Sequence, residues 1–342
     1  MEMEKALYYI DEKTGKIRLV ESIKRKFERA GYRFYGHSAV QICHWTKEGL
    51  KGRPSYKKIF YNIDCHRCMQ FSPAAIFCQN RCIFCWRQSE YWFTIRMPEE
   101  YVDDPKDIID NLIKLRKELL MGYKGNPYID KKLWEESLIP SHFSISLSGE
   151  PTLYPKLPEM IKYIRSLPFA RSIFLATNGQ EPEMLERLME EDALPTQLIL
   201  TTTASNEEDY KRISVPLYKD GWERWLRSAK LLRKMKTRTL MKIVLIKGLN
   251  DKNFEEYAEI IEKANPHFVQ VKAYMYLGYS QKYLKPENSP THEYVKEFAN
   301  KLLEYLPNFH FEEEVEVSRV VLLQNDKRYT NRFIDSICPN VE

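Results

Sequence analysis

Three thiols within one short stretch define the chemistry that this chain could do. The segment "CQNRCIFC" places Cys78, Cys82 and Cys85 at a spacing of three residues and then two, in a sequence with seven cysteines. Thiols so closely grouped are metal ligands, redox partners or disulfide halves. The start, "MEMEKALYYIDEKTGKIRLV", is charged throughout and has no apolar stretch to serve as a signal peptide. No window approaches the roughly 18 consecutive apolar residues of a membrane span. The expectation is a cytoplasmic protein without membrane contact, where clustered cysteines favour metal binding or redox catalysis over disulfides. A structural zinc ion needs four ligands, and this loop supplies three, so His66 or an upstream cysteine would have to complete it. An iron–sulfur cluster normally takes four thiolates, and three would leave one iron open to a substrate or cofactor.

The elements that must hold such a loop are legible as periodicity. The chain has 342 residues, 43% of them apolar, enough for one barrel or two smaller domains. Its net charge of +5 is modest, so any nucleic-acid surface would have to be local. From residue 71 onwards, β-rich runs alternate with amphipathic stretches. The expected strands are "PAAIFC" (73–78), "HFSISLSG" (142–149), "SIFLATNG" (172–179), "QLILTTTA" (197–204), "TLMKIVLIKG" (239–248) and "FVQVKAYMY" (268–276). Near-continuous apolar runs are what strands covered on both faces require. Between them, "DGWERWLRSAKLLRKMK" repeats Trp222, Trp225, Leu226, Ala229 and Leu232 at helical spacing behind a possible Asp220 cap. "THEYVKEFANKLLEYL" does the same with Val295, Phe298, Ala299, Leu302 and Leu306. Six such units predict an α/β fold, a parallel sheet curled into a partial or full β/α barrel with its chemistry at the carboxyl ends of the strands. Residues 1–70, which hold a basic helix and Cys43, Cys65 and Cys68, read as an N-terminal extension, 71–308 as the barrel, and 309–342 as a C-terminal strand and tail packed on it.

"CQNRCIFCW" resembles the cysteine loop of the radical S-adenosylmethionine superfamily, and other features of that family fall at later strand ends. The resemblance implies a barrel of that type and a 4Fe–4S cluster on Cys78, Cys82 and Cys85, whose open iron binds S-adenosylmethionine and cleaves it to a 5′-deoxyadenosyl radical. "SLSGEPTLYP" matches the segment that receives the methionine ammonium, which assigns Ser148, Gly149 and Glu150; the alternative for Glu150 is a buried structural salt bridge. "LATNG" puts Thr177 and Asn178 at the barrel mouth. "TTTAS" offers Thr203 and Ser205 to the ribose, although either could instead cap the helix that begins near Glu207.

"GHSAVQICHW", "CHRCMQFSP", "YLGYSQKYL" and "SRVVLLQN" narrow the resemblance to the archaeal 4-demethylwyosine synthases, over nearly the whole chain. That family joins N1-methylguanosine at tRNA position 37 to two carbons of pyruvate, closing the third ring of the wyosine base. It implies a second 4Fe–4S cluster on three upstream cysteines. Cys43 and Cys68 match; where the family has the third, this chain has Ser55, so Cys65 is assigned. These three cysteines could equally bind zinc or be unligated core. Lys57 matches a lysine that handles pyruvate by Schiff base or ion pair, with a plain surface lysine as the alternative.

The implied partners are the anticodon loop of phenylalanine tRNA, pyruvate and an external electron donor such as ferredoxin or flavodoxin, since residues before 71 leave no room for a flavodoxin-like domain. A monomer is expected. Basic candidates for the RNA are Lys24, Arg25, Lys26, Arg29, Arg33, Lys230, Arg233, Lys234, Lys236 and Arg238, and Tyr32, Trp45 and Trp86 could stack on an extruded base. The alternatives are another radical S-adenosylmethionine RNA-modifying enzyme or activase, or a non-catalytic zinc-containing RNA-binding protein.

Overall fold

The computed structural model describes residues 7–88 and 96–338; the ends of the expected extension and tail, 1–6 and 339–342, lie outside the described residues. An antiparallel ribbon, β1 (Tyr8–Ile10) and β2 (Ile17–Leu19), precedes α1 (Glu21–Arg29), which buries Ile23 and Phe27 one turn apart. A hairpin of β3 (Tyr32–Tyr35) and β4 (Ser38–Gln41) leads to two short helices, α2 (His44–Gly49) and α3 (Tyr56–Tyr61).

Six strands then run parallel, each paired with the next. They are β5 (Cys68–Ser72), β6 (His142–Ile145), β7 (Ser172–Thr177), β8 (Gln197–Thr202), β9 (Arg238–Leu245) and β10 (Phe268–Ala273). Helices connect them: α4 (Pro105–Met121) and α5 (Lys131–Ser137), α6 (Leu157–Ser166), α7 (Pro182–Glu190), α8 (Glu207–Ser214) and α9 (Gly221–Leu231), and α10 (Phe254–Ala264). After α11 (His292–Leu303), β11 (Phe309–Val315) and β12 (Val320–Asn325) form the expected late hairpin, with β12 antiparallel to β10. The full order is β11-β12-β10-β9-β8-β7-β6-β5-β4-β3. The two end strands do not pair, so this is a partial barrel, and β3 and β4 tie the N-terminal segment into the same sheet by hydrogen bonds.

Strand alternation sorts side chains into two cores. Phe143, Leu175, Leu200 and Ile243 pack with the outer helices, while Phe174, Leu240, Phe268 and Leu322 pack on Phe60 and Tyr61 of α3. That double burial is why the strands read as continuous apolar runs. It also places α3 on the inner face of the sheet.

Three local expectations need correction. The first barrel strand is Cys68–Ser72, not 73–78. Pro73 has no N–H for a ladder, and the chain turns there, with Phe77 N donating to Ala74 O at 3.1 Å and Ala75 N to His37 O at 3.1 Å. "PAAIF" is apolar because it is buried, and the expected boundary at residue 70 falls inside β5. Asp220 precedes α9 without a side-chain cap bond. The cap of α8 is Asn206, which accepts from Asp209 N at 3.0 Å, so neither Thr203 nor Ser205 serves that role. For α11 the expected face holds: Val295, Phe298, Ala299, Leu302 and Leu306 are all buried.

Candidate functional site

The cysteine loop is fixed by backbone contacts on both sides. Glu150 N donates to Phe77 O at 2.7 Å, and Ser148 Oγ donates to Ala75 O at 2.8 Å. Between them Gly149 adopts φ +66°, and a Cβ there would lie 1.9 Å from Ala74 O and 2.6 Å from Phe77 O. Only glycine lets the two segments approach so closely. Further along, Arg81 N donates to Ser214 O at 3.1 Å, Ile83 N to Ile213 O at 3.0 Å, and Leu217 N to Gln79 O at 2.8 Å.

Burial pushes all three thiols of the loop up, Cys85 to about 11. Holding them as thiolates therefore calls for a positively charged metal group. Among the described residues no three Cys, His, Asp or Glu side chains converge on one ion, whereas a cubane distributes its thiolates over different irons. The donor set of three thiols in one loop fits such a cluster with one iron left open. His66, weighed above as a fourth zinc ligand, is bonded instead to Glu136 Oε2 at 2.9 Å.

Glu150 is the centre of the adjoining network. It is only 2% exposed. Its Oε1 accepts from Thr152 N (3.1 Å), Thr152 Oγ1 (2.7 Å) and Thr177 Oγ1 (2.7 Å), and its Oε2 accepts from Asn178 N at 2.7 Å. All four donors are neutral, and among the described residues no cation pairs with it. The structural salt bridge weighed above is thus not formed. Burial raises its pKa, which the hydrogen bonds only partly offset. A buried carboxylate held by neutral donors can receive an incoming ammonium. Asn178 extends the network, donating from Nδ2 to Gln79 Oε1 at 3.3 Å and to Cys78 Sγ at 3.6 Å.

The two remaining residues expected beside the cofactor lie apart from that network. Thr203 Oγ1 is 2.7 Å from Ser214 Oγ, against the far side of the cysteine loop. Ser205 Oγ donates to Glu256 Oε2 at 2.7 Å, at the start of α10.

The upstream cysteines come from three elements. Cys43 caps α2, accepting from Thr46 N at 3.3 Å. Cys65 Sγ lies 2.5 Å from Ser55 Oγ, so the chain brings a thiol to the very place where serine replaces the expected cysteine. Cys68 is buried, and burial pushes its thiol up to about 12. Arg116 donates to Cys68 O at 3.2 Å and to His66 O at 3.1 Å. Lys57 is half-buried rather than on the surface: its Nζ donates to Ser144 Oγ at 3.1 Å and lies 4.6 Å from the centroid of Phe174. Its charge reaches both Cys65 and Cys68. Cys338 is exposed and joins neither set.

Several residues here escaped the sequence reading. Arg87, two residues after Cys85, is buried; it donates to Tyr32 Oη at 2.6 Å and Gln41 Oε1 at 3.0 Å and stacks 3.6 Å from the centroid of Trp86. Its guanidinium lies within electrostatic reach of Cys85 and of Cys43, one from each set. Lys242 and Lys272 interrupt the apolar runs of β9 and β10, and a charge in the middle of a buried strand was the available signal. Two of the RNA candidates are withdrawn by burial. Tyr32 is 2% exposed, and Arg238 is 1% exposed, bonded to the carbonyl oxygens of Asn331 and Arg332. Trp86 is 50% exposed and Trp45 half-buried.

The chain matches the radical SAM superfamily over residues 73–261 and the family described as wyosine base formation over residues 263–325. It is 44% identical, over 90% of its length and 89% of the relative's, to the S-adenosyl-L-methionine-dependent tRNA 4-demethylwyosine synthase of Pyrococcus abyssi. With the enzyme of the same name from Methanocaldococcus jannaschii it shares 36% identity over 91% of this chain and 98% of that one. Among solved structures, TYW1 with a lysine-pyruvate adduct bound superposes with a TM-score of 0.81 at 34% identity, covering 92% of this chain and 99% of that one.

Proposed function

The chain belongs to the tRNA 4-demethylwyosine synthases of the radical S-adenosylmethionine superfamily, and from that premise we propose which of its residues perform the condensation of N1-methylguanosine in tRNA with two carbons of pyruvate. Cys78, Cys82 and Cys85 hold the 4Fe–4S cluster that binds S-adenosylmethionine. When bound, the two supply the 5′-deoxyadenosyl radical that takes hydrogen from the N-methyl group. Glu150, backed by Ser148, Gly149, Thr177 and Asn178, receives the methionine ammonium and orients it. Thr203 lies close enough to the loop, through Ser214, to serve the ribose; Ser205 faces Glu256 and plays a smaller part. Cys43, Cys65 and Cys68 hold a second cluster, Cys65 standing in for the residue that Ser55 replaces.

Lys57 acts on pyruvate. Its amine attacks the carbonyl carbon, the carbonyl oxygen leaves as water, and a C=N bond fixes the two carbons to be transferred; the third, the carboxyl carbon, is released when its bond to them breaks. The substrate is the anticodon loop of phenylalanine tRNA at position 37, the reductant is an external ferredoxin or flavodoxin, and the enzyme acts as a monomer in the cytoplasm; among the described residues no helix is long and apolar enough to cross a membrane. The observation that carries the residue assignment is the position of Lys57, brought by α3 to the inner face of the sheet beside Cys65 and Cys68; the related structure holds a lysine-pyruvate adduct.

The experiment is anaerobic turnover of tRNA carrying N1-methylguanosine, with S-adenosylmethionine, a reductant and pyruvate, read by mass spectrometry of the nucleosides. The tricyclic base should form with pyruvate present and Lys57 intact, and should be lost with Lys57→Ala. Full product without pyruvate would overturn the reaction, and full product from Lys57→Ala would overturn the role of that lysine.

A further inference from the structure

The inner face of the barrel carries more positive charge than the reaction above uses. The six parallel strands and β12 contain no aspartate or glutamate, yet Arg238, Lys242 and Lys272 all lie on them. The charge of Arg238 is absorbed by backbone carbonyls and by Gln197 Oε1. The two lysines are different.

Strand alternation puts Lys242 and Lys272 on the same face as Leu240 and Phe268, the face that α3 covers. Lys242 is in register with Gln270 and Lys272 with Val244, so they are diagonal neighbours on adjacent strands. Lys272 Nζ lies 4.5 Å from the ring centroid of Tyr56, the residue before Lys57, and 3.4 Å from Ser318 O. Ser144 and Phe174, the two contacts of Lys57 Nζ, are themselves in register on β6 and β7. Among the described residues none of the three ammonium groups faces a carboxylate.

Burial first, and then repulsion from Lys57, pulls Lys242 down to about 8; burial, Lys242 and Lys57 pull Lys272 to about 7. Three cations gathered without a counter-ion are costly to keep charged, and an anion among them relieves that cost. The two lysines lie on the face that α3 covers, which suits a small anion better than a polynucleotide backbone.

We propose that Lys242 and Lys272 form a cradle for the carboxylate of the 2-oxo acid substrate, presenting its carbonyl carbon to Lys57. The inference rests on the reading of Lys57 as the amine that condenses with pyruvate. The carboxylate stays ionic and unchanged while the neighbouring carbon exchanges oxygen, lost as water, for nitrogen. Anchoring one bond away from the reacting carbon leaves the carbonyl few orientations, which is how positioning lowers a barrier.

The test traps the C=N bond in the iron-loaded enzyme with cyanoborohydride, without tRNA or S-adenosylmethionine, and locates the alkylated lysine by peptide mass spectrometry. Pyruvate is compared with methyl pyruvate, which keeps the carbonyl and lacks the charge. The wild-type enzyme should reach half-maximal trapping on Lys57 at a pyruvate concentration at least tenfold below that for methyl pyruvate. In Lys242→Met, Lys272→Met and the double variant that preference should collapse, with methyl pyruvate trapping unchanged as the control for an intact fold. A preference that survives in the double variant overturns the cradle. So does unchanged pyruvate trapping together with a tenfold loss of tRNA affinity, which would assign the charges to an RNA phosphate. If the wild type traps nothing on Lys57, the reading of that lysine fails, and the cradle is then decided by equilibrium dialysis of labelled pyruvate against Lys57→Ala. Binding there must vanish when Lys242→Met and Lys272→Met are added; binding that persists overturns it.

Discussion

Cys78, Cys82 and Cys85 share one loop, whereas Cys43, Cys65 and Cys68 come from the cap of α2, a turn and the start of β5. The loop is held mainly by backbone: Phe77 O, Ala75 O and Gly149 on one side, Ser214 O and Ile213 O on the other. Around the second set, side chains supply more of the contacts: Thr46 Oγ1 at Cys43, Ser55 Oγ at Cys65 and the Arg116 guanidinium at the carbonyl of Cys68, which the β5 ladder also holds. Backbone anchoring depends on few residue types, chiefly one glycine. Side-chain anchoring tolerates exchange of partners, which is how the thiol of Cys65 can lie against Ser55, where the resemblance leads one to expect a cysteine.

The largest expected effect separates the two sets. With a cubane on each set, as proposed, the chain would carry about eight irons, and losing one would leave about four. Cys82→Ala should leave about four irons and abolish both S-adenosylmethionine cleavage and product. Cys65→Ala should also leave about four, abolish product, and retain cleavage to 5′-deoxyadenosine. Anaerobic iron analysis with chromatography of the nucleosides reads both, and a Cys65→Ala enzyme with its full iron would break the comparison by excluding that thiol.

This contrast explains what the sequence disclosed. The first set was legible because its spacing is local and its anchor, "SLSGEP", is itself contiguous. The alternation of strands and helices was legible too, since burial on both faces writes apolar runs. The start of β5 was not, because buried "PAAIF" looks as apolar as a strand while Pro73 turns the chain. Nor could spacing show that Ser55 meets Cys65, that Arg87 reaches toward both sets, or that Lys242 and Lys272 share a face with Lys57; these follow from register and from where α3 sits.

A smaller effect tests backbone anchoring alone. Gly149→Ala must adopt φ +66° and move the carbonyl of Ala74, costing about 3 kcal/mol and lowering iron at the first set. Gly15→Ala, at φ +65° with nothing within 4 Å, should cost only about 1 kcal/mol. Urea midpoints measure both, and equal losses would remove the special role of the close approach.

Glu150→Gln probes the charge that the loop's anchor carries. If Glu150 receives the ammonium as proposed, loss of that charged hydrogen bond should weaken S-adenosylmethionine binding by about 1.5–3 kcal/mol, roughly tenfold to a hundredfold. The raised pKa of Glu150 sets the sign with pH. Its contribution to the stability of the folded chain is full below the ordinary value of 4.5 and is lost as pH rises through the raised value. Affinity for the ammonium runs the other way, falling as the carboxylate takes a proton. Calorimetry of the cofactor across that range should therefore show binding fall with acidity in the wild type and stay flat in Glu150→Gln.

The smallest effect bears on the exchange within the second set. Ser55 Oγ accepts from Lys57 N at 3.1 Å and Lys58 N at 3.4 Å, so it caps α3 as well as touching Cys65. If its role is the cap, Ser55→Ala costs about 1 kcal/mol and leaves iron at both sets untouched, since the thiol of Cys65 remains. Because α3 carries Lys57, the loosened helix should also reduce trapping of pyruvate by a small factor, less than removal of either cradle lysine. A loss of about four irons instead would mean that the oxygen of Ser55, not the sulfur of Cys65, completes the second set, and the side-chain exchange would have to be read as a change of ligand rather than a change of position.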